Sequence, residues 1–313
     1  MTALTSFEEL IGKTRTLPSF PCGIVQLLTL NSSDPEFFDT ACAIIRADPG
    51  LTAQLLRLAN SAQFKGQSAA MSVERALMRV GSRTIGATLT EGQVLKIFNT
   101  RDEAVGRLWA MCALAGSLAQ VMTEKHAVLD ISPETAYTYG FLHDIGYLVL
   151  LALFQAQAAD LLTKDLIPSR GLLEREKAAL GVTHTVVGRV VASQWGFPTD
   201  LQVIIAGHHS VGARARGTSD VTLNRALDLL ALVDDLVYLW IQTEYGAVAS
   251  RIDVDAAFAS PDQRVFCRAH GLTTSALEEC LRTAIDNVEM KRQMLGVPKP
   301  TPFDVADGAP NPK

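Results

Sequence analysis

A histidine and an aspartate stand side by side in the run Gly140-Phe141-Leu142-His143-Asp144-Ile145-Gly146, set between an apolar stretch and a glycine. Imidazole and carboxylate together suit a first-row transition metal, and a carboxylate beside a histidine is a common way to hold one ion, or two, that activate water. Further along come His184, then His208-His209, then Asp234-Asp235, spaced so that successive helices of a bundle can each deliver one ligand. The set takes in four of the six histidines, whereas His126 and His270 lie in segments with no matching partner. The competing reading of His143 and Asp144 is a helix-end network without metal, the carboxylate serving backbone amides and the imidazole bridging helices. Adjacent residues on a helix point about 100° apart, so His208 and His209 can face one ion together only at a helix end. By the same geometry only one of Asp234 and Asp235 can point inward, and an acidic pair within 229–240 also fits the solvent face of an amphipathic helix.

The elements that would position these residues are helices. Apolar residues recur at three- and four-residue spacing almost throughout, and alternating runs rich in Val, Ile and aromatics are scarce, so the chain reads as all-α, a compact multi-helix bundle. Asp34-Pro35 and Asp48-Pro49 both read as an N-cap followed by proline at the first helical position, placing two helices between 35 and 60. Further helices are predicted at 21–31, 72–80, 82–98, 103–126, 133–142, 146–163, 170–180, 184–195, 198–208, 223–245, 261–269 and 274–294. The polar stretch 99–103 marks a boundary, residues 210–222 read as a loop able to cover a pocket, and the proline-rich tail 298–313 is expected to be disordered.

Composition narrows the function. With 313 residues and 48% hydrophobic residues the chain can bury a substantial core. A formal charge of −5 provides no overall field for gathering phosphate backbones, so direct nucleic-acid binding is not expected. Five scattered cysteines, Cys22, Cys42, Cys112, Cys267 and Cys280, form no CxxC and fit reduced thiols, which points to the cytoplasm. Glu8 and Glu9 near the N-terminus do not suit an export signal, and the greasiest stretch, 147–154, is too short to span a bilayer, so no membrane association is expected.

The His143-Asp144 run resembles the signature of the HD superfamily of metal-dependent phosphohydrolases. Leu17-Pro18-Ser19-Phe20-Pro21, the stretch Asp48-Pro49-Gly50 through Asn60-Ser61-Ala62, Ser72 through Gly81, and His184 through Trp195-Gly196-Phe197-Pro198 to His208-His209 are similar to the HDOD family, the HD-related output domains of bacterial signalling proteins. The resemblance covers roughly 15–245. It implies an all-helical fold with an N-terminal helical lobe at 1–100 and an HD-like lobe at 101–246, followed by a C-terminal helical extension at 247–297 and the tail. It also implies a role in bacterial signal transduction, in most members without demonstrated enzymatic activity.

Within that resemblance the metal set is His143, Asp144, His184, His208, His209 and Asp234, with Asp234 chosen over Asp235 by the family's pattern. Active members add an early histidine; here Leu108-Trp109-Ala110-Met111-Cys112 corresponds, with Met111 at that histidine's place. HD-GYP hydrolases carry a lysine just after the pair, where this chain has Tyr147. A thioether is a poor ligand for such ions, and without the ammonium a phosphoryl transition state loses charge stabilisation. The set therefore reads as degenerate: no cofactor is expected beyond a residual divalent metal (iron, manganese, zinc or nickel). The function read from the sequence is a non-catalytic output module acting on bacterial signalling proteins. The alternatives are a divergent phosphohydrolase acting on a nucleotide or cyclic dinucleotide, and a pocket that senses a nucleotide or other anionic effector. Arg57 and Asn60, three apart on one helical face, are candidate binding residues whose competing role is structural, Asn60 closing a helix and Arg57 pairing with a carboxylate.

Overall fold

The structure, a computed structural model, describes residues 7–61, 64, 69–98, 103–154, 158, 172–210, 217–242, 261–295 and 297. Among these residues every regular element is a helix. In chain order they are α1 (Phe7–Thr14), α2 (Cys22–Thr29), α3 (Phe37–Ala47), α4 (Pro49–Ala59), α5 (Val73–Val80), α6 (Ser82–Ile97), α7 (Glu103–His126), α8 (Pro133–Leu142) and α9 (Ile145–Phe154). Then follow α10 (Leu172–Leu180), α11 (His184–Gln194), α12 (Thr199–Gly207), α13 (Val221–Gln242), α14 (Pro261–Ala269) and α15 (Thr274–Leu295).

The helix starts follow side-chain chemistry. Asp48 Oδ1 accepts from the backbone N–H of Gly50 at 2.7 Å and of Leu51 at 3.2 Å, with Pro49 in the first turn where its missing N–H is harmless. Ser132 caps α8 in the same way, accepting from Thr135 N at 3.1 Å ahead of Pro133. Two expectations need correction. Residues 7–14 form a short helix, α1, that the sequence reading left out, and α3 begins at Phe37 because Asp34 instead accepts from Glu36 N at 2.9 Å and holds Pro35 in a turn. Parts of the expected helices up to 163 and 245, residues 211–216 of the 210–222 loop and the whole of the tail 298–313 lie outside the described residues.

Two glycine crossings set the middle of the bundle. The most extensive contact is α7 on α8, and a Cβ placed on Gly140 would lie 2.8 Å from the carbonyl carbon of Ala115 and from Gly116 Cα. A Cβ on Gly146 would lie 2.7 Å from the carbonyl carbon of His184 and 2.9 Å from Gly188 N. Only a hydrogen fits at either place, so α8 nests on α7 and α9 nests on α11, and the two residues joining α8 to α9, His143 and Asp144, are carried into the space between them. Gly146→Ala is therefore expected to destabilise the fold by about 2–3 kcal/mol through backbone overpacking. Urea unfolding followed by circular dichroism checks this, and a loss below about 0.5 kcal/mol would contradict the crossing.

Segments 104–126 and 133–154 are long and apolar enough to cross a bilayer by composition, but 83% and 78% of their apolar windows are buried inside the fold. They form its centre, with Trp109, Tyr137 and Phe141 almost wholly enclosed. The five cysteines are unpaired, and all but Cys22 are buried.

Helices α2 to α6 pack on one another, but the chain ahead of them packs elsewhere. Helix α1 packs on α11 and α9, and Gln194 Nε2 donates to Thr14 Oγ1 at 3.1 Å. The Phe20 ring meets Trp195 at 5.3 Å and Phe197, edge-on, at 5.1 Å. This clasp explains why Leu17-Pro18-Ser19-Phe20-Pro21 and Trp195-Gly196-Phe197-Pro198 occur in one chain: each supplies rings that the other covers. At the far end α15 lies along α7, where Asn287 Nδ2 donates to Ser117 Oγ at 3.2 Å and Lys125 Nζ to Glu279 at 2.6 Å.

Candidate metal centre

Three helix ends and the middle of a fourth helix converge on the turn after α8. His143 closes α8, His184 opens α11, and His208 and His209 follow directly on the end of α12. Asp234 comes from the middle of α13. The helix-end condition for His208 and His209 is met, their ring centroids lying 4.2 Å apart at an interplanar angle of 46°. All six residues expected to form the set are brought together, and two groups of donor atoms lie within coordinating reach: Asp144, His184, His208 and His209, and His143, His208 and Asp234.

The orientation of the rings says more than their proximity. His143 Nδ1 donates to the Gly140 carbonyl at 2.6 Å, and His208 Nδ1 to the Ile205 carbonyl at 3.0 Å. A carbonyl can only accept, so both Nδ1 atoms carry hydrogen. His184 Nδ1 faces both carboxylate oxygens of Glu176, at 2.8 and 2.9 Å. With every Nδ1 turned outward to an acceptor, each Nε2 turns inward. His143 Nε2 lies 2.9 Å from Asp234 Oδ1 and 3.3 Å from Asp144 Oδ2. His208 Nε2 lies 3.1 Å from Asp144 Oδ1 and 3.2 Å from His184 Nε2, and His184 Nε2 lies 3.4 Å from Asp144 Oδ1. In neutral imidazoles these inward atoms would be bare lone pairs facing one another and facing carboxylate oxygens, an arrangement that needs a positive charge at its centre.

Electrostatics follow from that demand. Burial works to lower the His143 ring, but the Asp144 and Asp234 carboxylates outweigh it and hold it well above the usual histidine range. Burial likewise works to raise Asp144, and His143, by charge and hydrogen bond, with His208, holds it well below the usual carboxylate range. His208 and His209 are pushed down, first by burial, with the neighbouring imidazoles adding to it. Asp234 Oδ2 is buried and has no hydrogen-bond partner, an orphaned acceptor beside the inward Nε2 atoms. Imidazole nitrogen, carboxylate oxygen and an unmet acceptor fit a first-row divalent ion.

A family model described as HDOD domain matches residues 17–211. The chain belongs to the HDOD family. A Treponema pallidum (strain Nichols) protein of uncharacterized function is 23% identical over 203 residues, and the match spans 62% of this chain but only 38% of that protein. Two solved structures share the fold. A candidate signal transduction protein from Marinobacter aquaeolei VT8 has a TM-score of 0.67 at 18% identity, over 95% of this chain and 62% of that one. A candidate phosphohydrolase from Shewanella amazonensis SB2B has a TM-score of 0.60 at 22% identity, over 91% and 97%.

The HDOD match takes in the five donors from His143 to His209 but stops before Asp234, which α13 supplies from beyond it. Asp234 rather than Asp235 is the inward residue: Asp235 receives a hydrogen bond from Gln263 on α14, and burial raises its carboxyl. On α7, the thiol influenced by the centre is that of Cys112, raised first by its burial and then by the charges of Asp144 and Asp234. Met111, at the early histidine's place, is partly buried and packs against the core.

Outside the centre, the HDOD motif around Asn60 has local work. Asn60 Oδ1 accepts from Ala70 N at 2.8 Å, and its amide donates to the carbonyls of Leu56 at 2.9 Å and Ala70 at 3.0 Å, closing the end of α4 onto the segment that leads to α5. Arg57 is exposed on α4, away from the His/Asp centre. Sequence reasoning missed Glu176. It sits in the charged stretch Leu172-Leu173-Glu174-Arg175-Glu176-Lys177, which reads as a solvated helix face, yet its side chain is fully buried.

Proposed function

We propose that this HDOD chain is a cytoplasmic signal-transduction module of bacterial type. It works by presenting a helical platform to protein partners, with a first-row divalent ion held among His143, Asp144, His184, His208, His209 and Asp234, and it does not hydrolyse phosphate esters. When bound, such an ion would supply Lewis acidity and a fixed positive charge. The protein's part is to orient His143, His184 and His208, each with its Nδ1 anchored to an acceptor, and to keep Asp144 among them.

The observation that carries the non-hydrolytic reading is the place of Tyr147. In hydrolytic HD-GYP relatives a lysine follows the His-Asp pair, and here the side chain at that place is a buried phenol stacked on His184 with centroids 4.1 Å apart. Nothing at that position can offer an ammonium to a phosphoryl group. The side chains of His184 and His208 are wholly buried, and exposure is confined to His209, partly exposed, and to Asp144 and Asp234, at 13% and 23%.

The expected result is no turnover of nucleotides, cyclic dinucleotides or nitrophenyl phosphate by protein loaded with manganese, iron, nickel or zinc. Hydrolysis at an ordinary enzymatic rate, of roughly 1 per second or more, that is lost in His143→Ala would refute the proposal. The reading as a divergent phosphohydrolase draws on the near-complete donor set and the partly open carboxylate face, and the same assay decides between the two. If the module instead senses a nucleotide or other anion, that ligand must raise the unfolding temperature, because it binds only the folded state.

A further inference from the structure

We infer that Glu176 and Tyr147 are positioning residues for this centre: together they frame His184 on two sides and fix the direction of its inward nitrogen. The inference rests on the proposed metal-binding reading and assigns work to two side chains that are not themselves ligands.

The frame is built from three contacts on one buried ring. Glu176, wholly buried on α10, takes the ring N–H of His184 at 2.8 and 2.9 Å. Its Oε2 also takes the backbone N–H of His184 at 2.9 Å. That amide is the first in α11, where backbone donors have no partner within the helix, so one carboxylate secures both the ring and the helix start that carries it. The phenol of Tyr147, on α9, hydrogen-bonds the same carboxylate, and its ring lies nearly parallel to the imidazole, at 11°. With one edge of the ring tied and one face covered, rotation about the Cβ–Cγ bond is blocked, and Nε2 stays aimed at Asp144 Oδ1 and His208 Nε2.

The pairing gives the tyrosine a positive role. The side chain after the His-Asp pair has moved from facing a substrate to bracing a ligand, and Glu176 supplies the acceptor that a buried phenol requires. A carboxylate behind a ligating imidazole raises its basicity and fixes its orientation, and such partners are worth about 10- to 100-fold in metal affinity. The Gly146 crossing serves the same ring, since it presses α9 onto α11 at the His184 carbonyl.

The test is a titration of chelator-stripped full-length protein with zinc and with cobalt, well below the unfolding temperature. It compares wild type, Glu176→Gln and Tyr147→Phe. Glu176→Gln is expected to weaken zinc binding by about 10- to 100-fold and to shift the visible absorption of the cobalt form. Tyr147→Phe keeps the stacked ring and loses only its hydroxyl, so about a fivefold weakening is expected, the usual worth of one hydrogen bond. A residue with a merely structural role would lower the apo protein's unfolding temperature while leaving the affinity and the cobalt spectrum of the folded fraction unchanged, and that outcome overturns the inference. If wild type itself binds neither ion, the metal-binding reading falls and the inference falls with it. If wild type binds and both variants match it within twofold, the inference alone falls.

Discussion

Asp144→Asn is expected to lower the affinity for a first-row divalent ion by at least about 100-fold, more than any partner behind the ligands can contribute. Asp144 reaches all three inward imidazoles, with Oδ1 near His208 and His184 and Oδ2 near His143. Asparagine keeps the shape but removes the negative charge, and it replaces one acceptor oxygen with an amide donor. That donor would point at lone pairs an ion needs, so the substitution removes attraction and adds competition. Equilibrium dialysis with zinc, scored by elemental analysis, measures the change, and Arg57→Ala on the exposed face of α4 serves as a control expected to match wild type. Retention of zinc by Asp144→Asn within about threefold of wild type would mean that the ion, if bound, lies elsewhere.

The second large effect concerns stability. Glu91 on α6 is wholly buried; its Oε1 accepts from the Tyr137 hydroxyl and from Lys291 Nζ, the latter at 2.7 Å. The same ammonium stands 3.6 Å from the centroid of the Tyr137 ring. One ion pair therefore ties together α6, α8 and α15. Removing one partner of a buried pair leaves the other charge without compensation, which costs about 3–5 kcal/mol. Lys291→Met is expected to fall in that range, lowering the unfolding midpoint by roughly 10 °C. Lys291→Met combined with Glu91→Gln should recover most of the loss, because the stranded charge is then gone. Guanidinium unfolding of the two proteins decides the matter: a single-variant loss below about 1 kcal/mol would show that Glu91 finds another counter-charge.

Most of the helices could be read from local chemistry because their boundaries are local. Asp48-Pro49, Ser132-Pro133 and the Thr183 cap of α11 each declare a helix start within four residues. The gathering of the histidines and aspartates was legible from residue type and order, and the helix-end condition on His208 and His209 was satisfied as stated. What could not be read was the choice between neighbours and the identity of supporting residues. Asp234 against Asp235 is a matter of helix phase, settled by which carboxylate meets His143 and which meets Gln263. Glu176 carries no motif and hides among exposed charges, and Lys291 meets Glu91 across 200 residues of sequence, beyond the reach of any local pattern.

The clasp of Phe20 on Trp195 and Phe197 bears on how the chain is made. Phe20 rests in the finished protein on rings that are synthesised about 175 residues later, so that contact cannot form until they have emerged. Until then Phe20, almost fully enclosed at the end, has no such cover and is surface that a chaperone can hold. Closing of this clasp is thus a late event of biogenesis, and the indole of Trp195 is a built-in optical reporter of its completion.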